Sequence, residues 1–521
     1  MQTLIIKHRY AAQPGPAVHT WRRLALALAL LLAATQLRAQ QRRAYPAPHL
    51  TPEVKAIRQA MRSFRATTSQ PALPTHVDNS RLKYFPPIID QEGGSCAQAS
   101  SIGYVFSYEM NRLLERDASA SADNRFAYKF SWNMLNDGED QGGFAEQGLY
   151  LAQRYGMMTE ADYGATGGTY QFRWATGYDK YERALHYRAS EILSFPAKTE
   201  ADLEQIKRYL YDAGDGSSSG GLLCFSTQSS GWTIDDAYNG PQATGYHSLL
   251  TRLAPDGAHA MTIVGYDDLV TYTDPAGQTH TGAFIVANTW GTYQHDHGRF
   301  YLPYYFFTTH QHTDQQLASQ MQGVRVCTYQ PQAVFRVRLS YTSRNDLSFG
   351  TAFRTDGLLA QAPQYAYAQA FNNAGGDHPM QGQWLSGDIE IAIDATPSIV
   401  PCDPEKEVYS LAVKKAAIGK EVGTGEVTGV WLIDYRGDSP TEYACTQTTF
   451  PAVIQPGLTV FSVRPADKGT SLVQTSASPY RYLDGRNATP ATYVVRTADG
   501  QTVKMRFSNL NGNDIDLRVG E

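Results

Sequence analysis

The chain has 521 residues, 42% hydrophobic and 18% charged, a globular composition rather than a disordered, collagen-like or membrane-spanning one. Its length exceeds what one core ordinarily serves, so several structural units are expected. Against 50 Asp and Glu there are 45 Lys and Arg, a formal charge of -5 with no basic excess to hold phosphates, so nucleic acid is not expected as a partner.

At the N-terminus, Arg22 and Arg23 precede an unbroken Leu/Ala run at 24–34, too short for a stable membrane anchor. Leu37-Arg38-Ala39 then offers a small residue for cleavage, so residues 1–39 are predicted to be a signal peptide. The mature protein is expected to be secreted (extracellular, periplasmic or at a cell surface) with no transmembrane span. Residues 1–39 carry five cations and no acids, so their removal shifts the formal charge from -5 to -10. Residues 40–80, rich in Pro, Thr, Ser and Arg, read as a pro-segment or linker. If this segment restrains the site until it is removed or displaced, its one helical face, Val54, Ile57, Met61 and Phe64, is expected to pack near Gly142 and Gly143.

From 81 to 330 the signals are mixed. Apolar residues at Ile102, Val105, Phe106, Met110 and Leu113 predict a helix over 95–115, with Cys96 at its start. Further helices are predicted at 145–155 and 201–210, and strands at 222–226, 259–266, 283–288 and 298–302. Helices first and sheet second is an α+β arrangement. Beyond 330 the pattern is almost purely strand-like, with period-two alternation at Phe335, Val337 and Leu339 and again at Ile389, Ile391 and Ile393. Strands are also expected at 408–413, 430–433, 459–463, 493–497 and 502–507, with Asp499-Gly500 as a hairpin turn. This region, 331–521, predicts one or two β-sandwich modules, divided as 331–455 and 456–521.

Three strings carry chemistry: Gln91-Glu92-Gly93-Gly94-Ser95-Cys96-Ala97, the stretch from Gly257 through His259 to Val264-Gly265-Tyr266, and Asn288-Thr289-Trp290-Gly291. In this order they resemble the papain family of cysteine peptidases. A fourth string, Asp140-Gln141-Gly142-Gly143, is similar to that family's substrate strand. The resemblance covers about residues 82–325. It implies a two-lobe fold, helical then β-barrel-like, and a secreted endopeptidase without cofactor or metal, acting on protein or peptide substrates. Cys96 would be nucleophile, His259 general base and acid, Asn288 the orienting group and Gln91 the oxyanion donor, with Gly142, Gly143 and Trp290 at the substrate. Three positions depart from the pattern. Gln91 stands one position closer to the cysteine than is usual, Ala97 replaces a Trp, and Ala258 replaces a polar residue.

The chemistry supports the same roles. A helix N-terminus and an adjacent imidazolium lower a thiol pKa so that the nucleophilic thiolate forms. The histidine then needs its other ring nitrogen held, which the Asn288 amide can do, and Trp290 can screen that bond from water. The rival readings are an aminopeptidase, a cell-wall amide hydrolase, and a catalytically idle secreted binding protein. The β-rich C-terminal region is expected to bind a surface or the substrate.

The other signals read as structural. The five cysteines are an odd number, so at least one thiol is left over, and Cys402 and Cys445 are the pair expected to bridge. The motifs His295-Asp296-His297 and His310-Gln311-His312 read as solvated loops rather than metal ligands. Arg436-Gly437-Asp438 reads as a turn, and Asn487-Ala488-Thr489 matches a glycosylation sequon.

Overall fold

The chain builds a mixed α/β architecture with several sheets, seen in a computed structural model. Residues 45–521 are described except 47, 67–71, 137, 165–171, 310–312, 315, 359–367, 371–375, 382–386, 416–422, 447, 468–472, 477–490, 497–501, 509–513 and 519–521. The predicted signal peptide, His310, His312, Asp499-Gly500 and Asn487 lie outside the described residues. No helix among the described residues is long and apolar enough to cross a membrane.

The predicted Cys96 helix forms in three joined parts, Cys96–Gln98, a π-helical stretch Ala99–Phe106, and Ser107–Leu114, ending where Glu115 turns left-handed at φ 54°. All of 99–106 is buried, so the helix runs through the core rather than along a surface. Ala145–Tyr155 is helical as predicted. The helix over 201–210 extends to Glu200–Asp212, because Thr199 caps it reciprocally with Asp202. Sequence periodicity missed the helices Tyr128–Leu135 and Tyr178–Leu185 and the strands Tyr187–Pro196 and Gln320–Thr328.

A ten-stranded sheet organises this part. Its order is Arg62–Ser63, Tyr187–Pro196, Gln320–Thr328, Leu223–Ser230, Asp256–Thr273, Thr279–Ala287, Arg299–Pro303, Leu249–Arg252 and Thr233–Asp235, with His76–Asp78 added alongside Asp256–Thr273. Two strands of this sheet come from the expected linker. Their helix, Pro52–Ala60, buries Val54 and Ile57, and Phe64 stacks on Phe195 with centroids 4.7 Å apart. Near Gly143 the contact is polar: Arg58 pairs with Glu146 at 2.5 Å and lies over the Phe144 ring.

The C-terminal strands form two five-stranded antiparallel sheets and a three-stranded one. In Ala333–Tyr341, Phe335, Val337 and Leu339 are buried while Arg336 and Arg338 are half-buried, the alternation the sequence predicts. The strand Gly457–Val463 pairs with Val408–Lys415, so the pairing runs across the 455/456 division expected from sequence. The three-stranded sheet spans Ala491–Arg496, Thr502–Ser508 and Asp514–Arg518. The expected Cys402–Cys445 bridge is not formed: neither thiol is part of a disulfide, and Cys445 is buried against the Ser462 carbonyl.

The C-terminal sheets are docked on the helical region. Gly177 N–H donates to the Glu390 carbonyl at 2.9 Å, and the Tyr178 and Tyr435 hydroxyls meet at 2.7 Å. Arg188 binds Asp394 at 2.6 Å, with both side chains almost buried.

Candidate active site

Four chain segments meet around Cys96. The His259 strand and Thr279–Ala287 are antiparallel neighbours, with Thr262 opposite Ala287, so Asn288 leaves its strand alongside the histidine. The helix is tied to the His259 strand where Ser100 Oγ donates to the Met261 carbonyl and meets Thr262 Oγ1, each at 2.7 Å. Tyr104 reaches from the same helix: its hydroxyl donates to the Asn288 carbonyl at 2.8 Å and accepts from Ile89 N–H at 2.7 Å. The Gln91 loop is stitched on by Gln91 N–H to the Thr289 carbonyl (2.8 Å) and Gly291 N–H to the Ile89 carbonyl (2.9 Å).

Within this frame His259 Nε2 lies 2.8 Å from Asn288 Oδ1, and both residues are buried. The Asn288 Oδ1 also accepts from Thr289 N–H at 2.8 Å, which fixes the amide's orientation. Trp290 stacks on the imidazole with centroids 4.3 Å apart and an interplanar angle of 23°. A second indole, Trp232, packs against both, tilted on Trp290 at 5.4 Å and edge-on to His259 at 6.3 Å. Sequence analysis did not single out Trp232. The Gly231 turn before it was its one local cue.

Cys96 opens its helix, 8% exposed, and packs with Ala97 and Ala260, the residue after His259. Burial pushes its thiol above the ordinary range. The N–H groups of Ala260 and Ala97, the Gln91 side chain and its own N–H pull in the opposite direction without overcoming it. The lowered pKa expected from the helix start is therefore not met in this form of the protein. Despite its shortened spacing, Gln91 turns its amide toward the sulfur. Its Nε2 donates to the Gly93 carbonyl at 2.9 Å and its Oε1 accepts the Thr289 hydroxyl.

The glycine loop is shaped by the neighbouring segment, residues 140–143. Gly93 has φ +53°, and a Cβ there would come within 2.3 Å of Asp140 Oδ1. At Gly94 a Cβ would press on the Gln141–Gly142 backbone at 2.8 to 3.0 Å. So Gly142 is brought against the cysteine loop, with Gly143 next to it, both partly open. Asp140, which the sequence reading quoted without giving it a role, anchors the junction by accepting Gly94 N–H at 2.7 Å.

One further segment enters the site. The Tyr45 carbonyl accepts from Ala258 N–H at 2.9 Å, and the Tyr45 hydroxyl donates to Asp140 Oδ2 at 2.8 Å. Tyr45 thus bridges the residue before His259 and the segment before Gly142.

Of the expected loop histidines, His297 is exposed as read, whereas His295 is packed beside Trp232 and Phe300, with Nδ1 2.9 Å from Asp236. No cluster of three metal-ligating side chains occurs among the described residues. Arg436 spends its guanidinium on Glu407 and Asp434, in keeping with a turn.

No family model matches the chain, and no curated protein matches it. Among solved structures it is similar to xylellain, a cysteine protease from Xylella fastidiosa, at 17% identity over 56% of this chain and 99% of that one, with a TM-score of 0.36. It is also similar to procathepsin B S9 from Trypanosoma congolense, at 15% identity over 58% of this chain and 98% of that one, TM-score 0.36. A third is procathepsin L 3 of the Tenebrio molitor larval midgut, at 14% identity over 60% and 94%, TM-score 0.32.

Proposed function

We propose that this chain is a secreted papain-like cysteine endopeptidase, a helical lobe and a β-rich lobe meeting at Cys96, with residues 1–39 as its export signal. The observation that carries this reading is the buried His259 Nε2 to Asn288 Oδ1 bond at 2.8 Å beneath Trp290, beside a cysteine that begins a helix. With Nε2 held by the amide, Nδ1 is the nitrogen that exchanges a proton with the Cys96 thiol. The resulting thiolate attacks the scissile carbonyl carbon, and the oxyanion is received by the Gln91 amide and the Cys96 N–H. Collapse expels the amine, which takes its proton from His259, and leaves a thioester. Water, deprotonated by His259, then hydrolyses the thioester and regenerates the thiol. Gly142 and Gly143 present backbone to an extended substrate, and Trp290 borders the leaving-group side.

In this proposal the sandwich is the module that meets a surface or the substrate, while remaining fastened to the catalytic part through Glu390 and Asp394. The test is labelling with an epoxysuccinyl inhibitor followed by mass spectrometry of the modified peptide. Alkylation at Cys96 with loss of peptide hydrolysis supports the reading. Hydrolysis that persists after complete Cys96 labelling overturns it.

A further inference from the structure

We infer that Asp140 selects substrates, taking a side chain that ends in a hydrogen-bond donor (tyrosine, arginine or lysine) at the subsite now filled by Tyr45. The inference rests on the peptidase reading above and deepens it. Its two anchor points flank the reacting residues. Ala258 N–H, next to His259, binds the Tyr45 main-chain carbonyl at 2.9 Å, as a β-strand partner would. Asp140 Oδ2, beside the Gly93-Gly94 turn that leads to Cys96, binds the Tyr45 hydroxyl at 2.8 Å.

The two oxygens of Asp140 have separate tasks. Oδ1 accepts Gly94 N–H at 2.7 Å and so holds the carboxylate in place, while Oδ2 points to the occupant. A fixed carboxylate at the end of a subsite discriminates strongly. A donor side chain satisfies it, whereas an apolar side chain of equal size leaves a desolvated anion without its partner. Tyr45 is therefore the chain's own imitation of the preferred residue: main chain paired to the His259 strand, side chain reaching across to Asp140. A substrate must displace it, and a substrate offering the same two bonds is the one best able to do so.

The experiment uses full-length protein carrying Cys96→Ala and Tyr45→Ala, so that binding is read without chemistry and with the subsite cleared. Fluorescein-labelled hexapeptides identical except for Tyr, Arg or Phe at one position are titrated by anisotropy. Tyr and Arg peptides are expected to bind at least tenfold tighter than the Phe peptide, and the added change Asp140→Asn should erase that preference. The asparagine keeps an acceptor for Gly94 N–H, so the loop is retained. Equal affinity for Tyr, Arg and Phe peptides, or a preference that survives Asp140→Asn, overturns the inference. As a second measurement, Tyr45→Phe in the Cys96→Ala chain should speed amide exchange at Ala258 severalfold, and unchanged exchange counts against the Tyr45 to Asp140 contact. Failure of the peptidase reading shows separately, as absent hydrolysis by the chain carrying Tyr45→Ala alone towards peptides that bind.

Discussion

The Trp290 indole lies 4.3 Å from the His259 imidazole and within 23° of parallel to it, covering the edge where His259 meets Asn288. A hydrogen bond kept from water is stronger and better aligned than an exposed one, so the indole is a condition of the histidine's orientation. Trp290→Ala is accordingly expected to lower kcat by about tenfold, roughly 1.4 kcal/mol of barrier, with a smaller change in KM. Steady-state kinetics checks this, and an unaltered kcat would remove the shielding role.

Cys96→Ala should abolish turnover with the fold intact, and His259→Ala should be nearly as severe. Asn288→Ala should leave measurable hydrolysis, since an orienting group contributes less than the nucleophile or the base. Peptide hydrolysis alongside circular dichroism of each variant is the measurement. An Asn288→Ala loss equal to that of Cys96→Ala would show that the amide does more than orient.

The Cys96 thiol is held above the ordinary thiol range by burial. The neutral form is favoured, so alkylation of Cys96 by iodoacetamide should remain slow at neutral pH and accelerate only as the pH rises past that of an exposed cysteine, about 8.5. Tyr45→Ala opens the site to water and should move the onset to lower pH. Quantifying the Cys96 peptide by mass spectrometry separates it from the other thiols. A profile for the unaltered chain that starts below that of free cysteine contradicts the burial effect.

Arg188 and Asp394 join the strand Tyr187–Pro196 to the C-terminal strand Ile389–Asp394 at 2.6 Å, with side chains 10% and 8% exposed. Arg188→Met leaves Asp394 buried without its cation and should cost about 3–5 kcal/mol. Adding Asp394→Leu should recover part of it, because the stranded charge is then gone as well. Urea unfolding of the three proteins gives the comparison, and a loss in Arg188→Met below about 0.5 kcal/mol would mean the docked faces do not depend on the pair.

Phe64 is buried against Phe195 and Tyr209, so Phe64→Ala should destabilise the protein by about 3–5 kcal/mol. Thermal unfolding reads this directly. A near-neutral result would restore residues 52–66 to the status of a dispensable linker.

The local parts of the site and fold are legible from neighbouring residues alone. Cys96 at a helix start, His259 within a strand and Asn288 at a strand end were legible because each depends on periodicity and turn chemistry within a few residues. The alternation of Phe335, Val337 and Leu339 was legible for the same reason, since a pleated strand sends alternate side chains to opposite faces.

What only the tertiary structure decided was everything set by pairing between distant residues. Tyr45 stands beside Ala258, Asp140 beside Gly94, and Trp232 beside Trp290 because strand register and loop packing bring them together, and no short-range pattern encodes that. The Cys96 thiol followed the same rule: a helix start favours the thiolate, but the burial that outweighs it comes from segments far along the chain. Residues 52–78 looked like a linker because their composition is polar, yet Arg62–Ser63 and His76–Asp78 complete a sheet whose partner strands begin more than a hundred residues later. Backbone hydrogen bonds to a sheet edge do not depend on side-chain identity, so composition carries little trace of them.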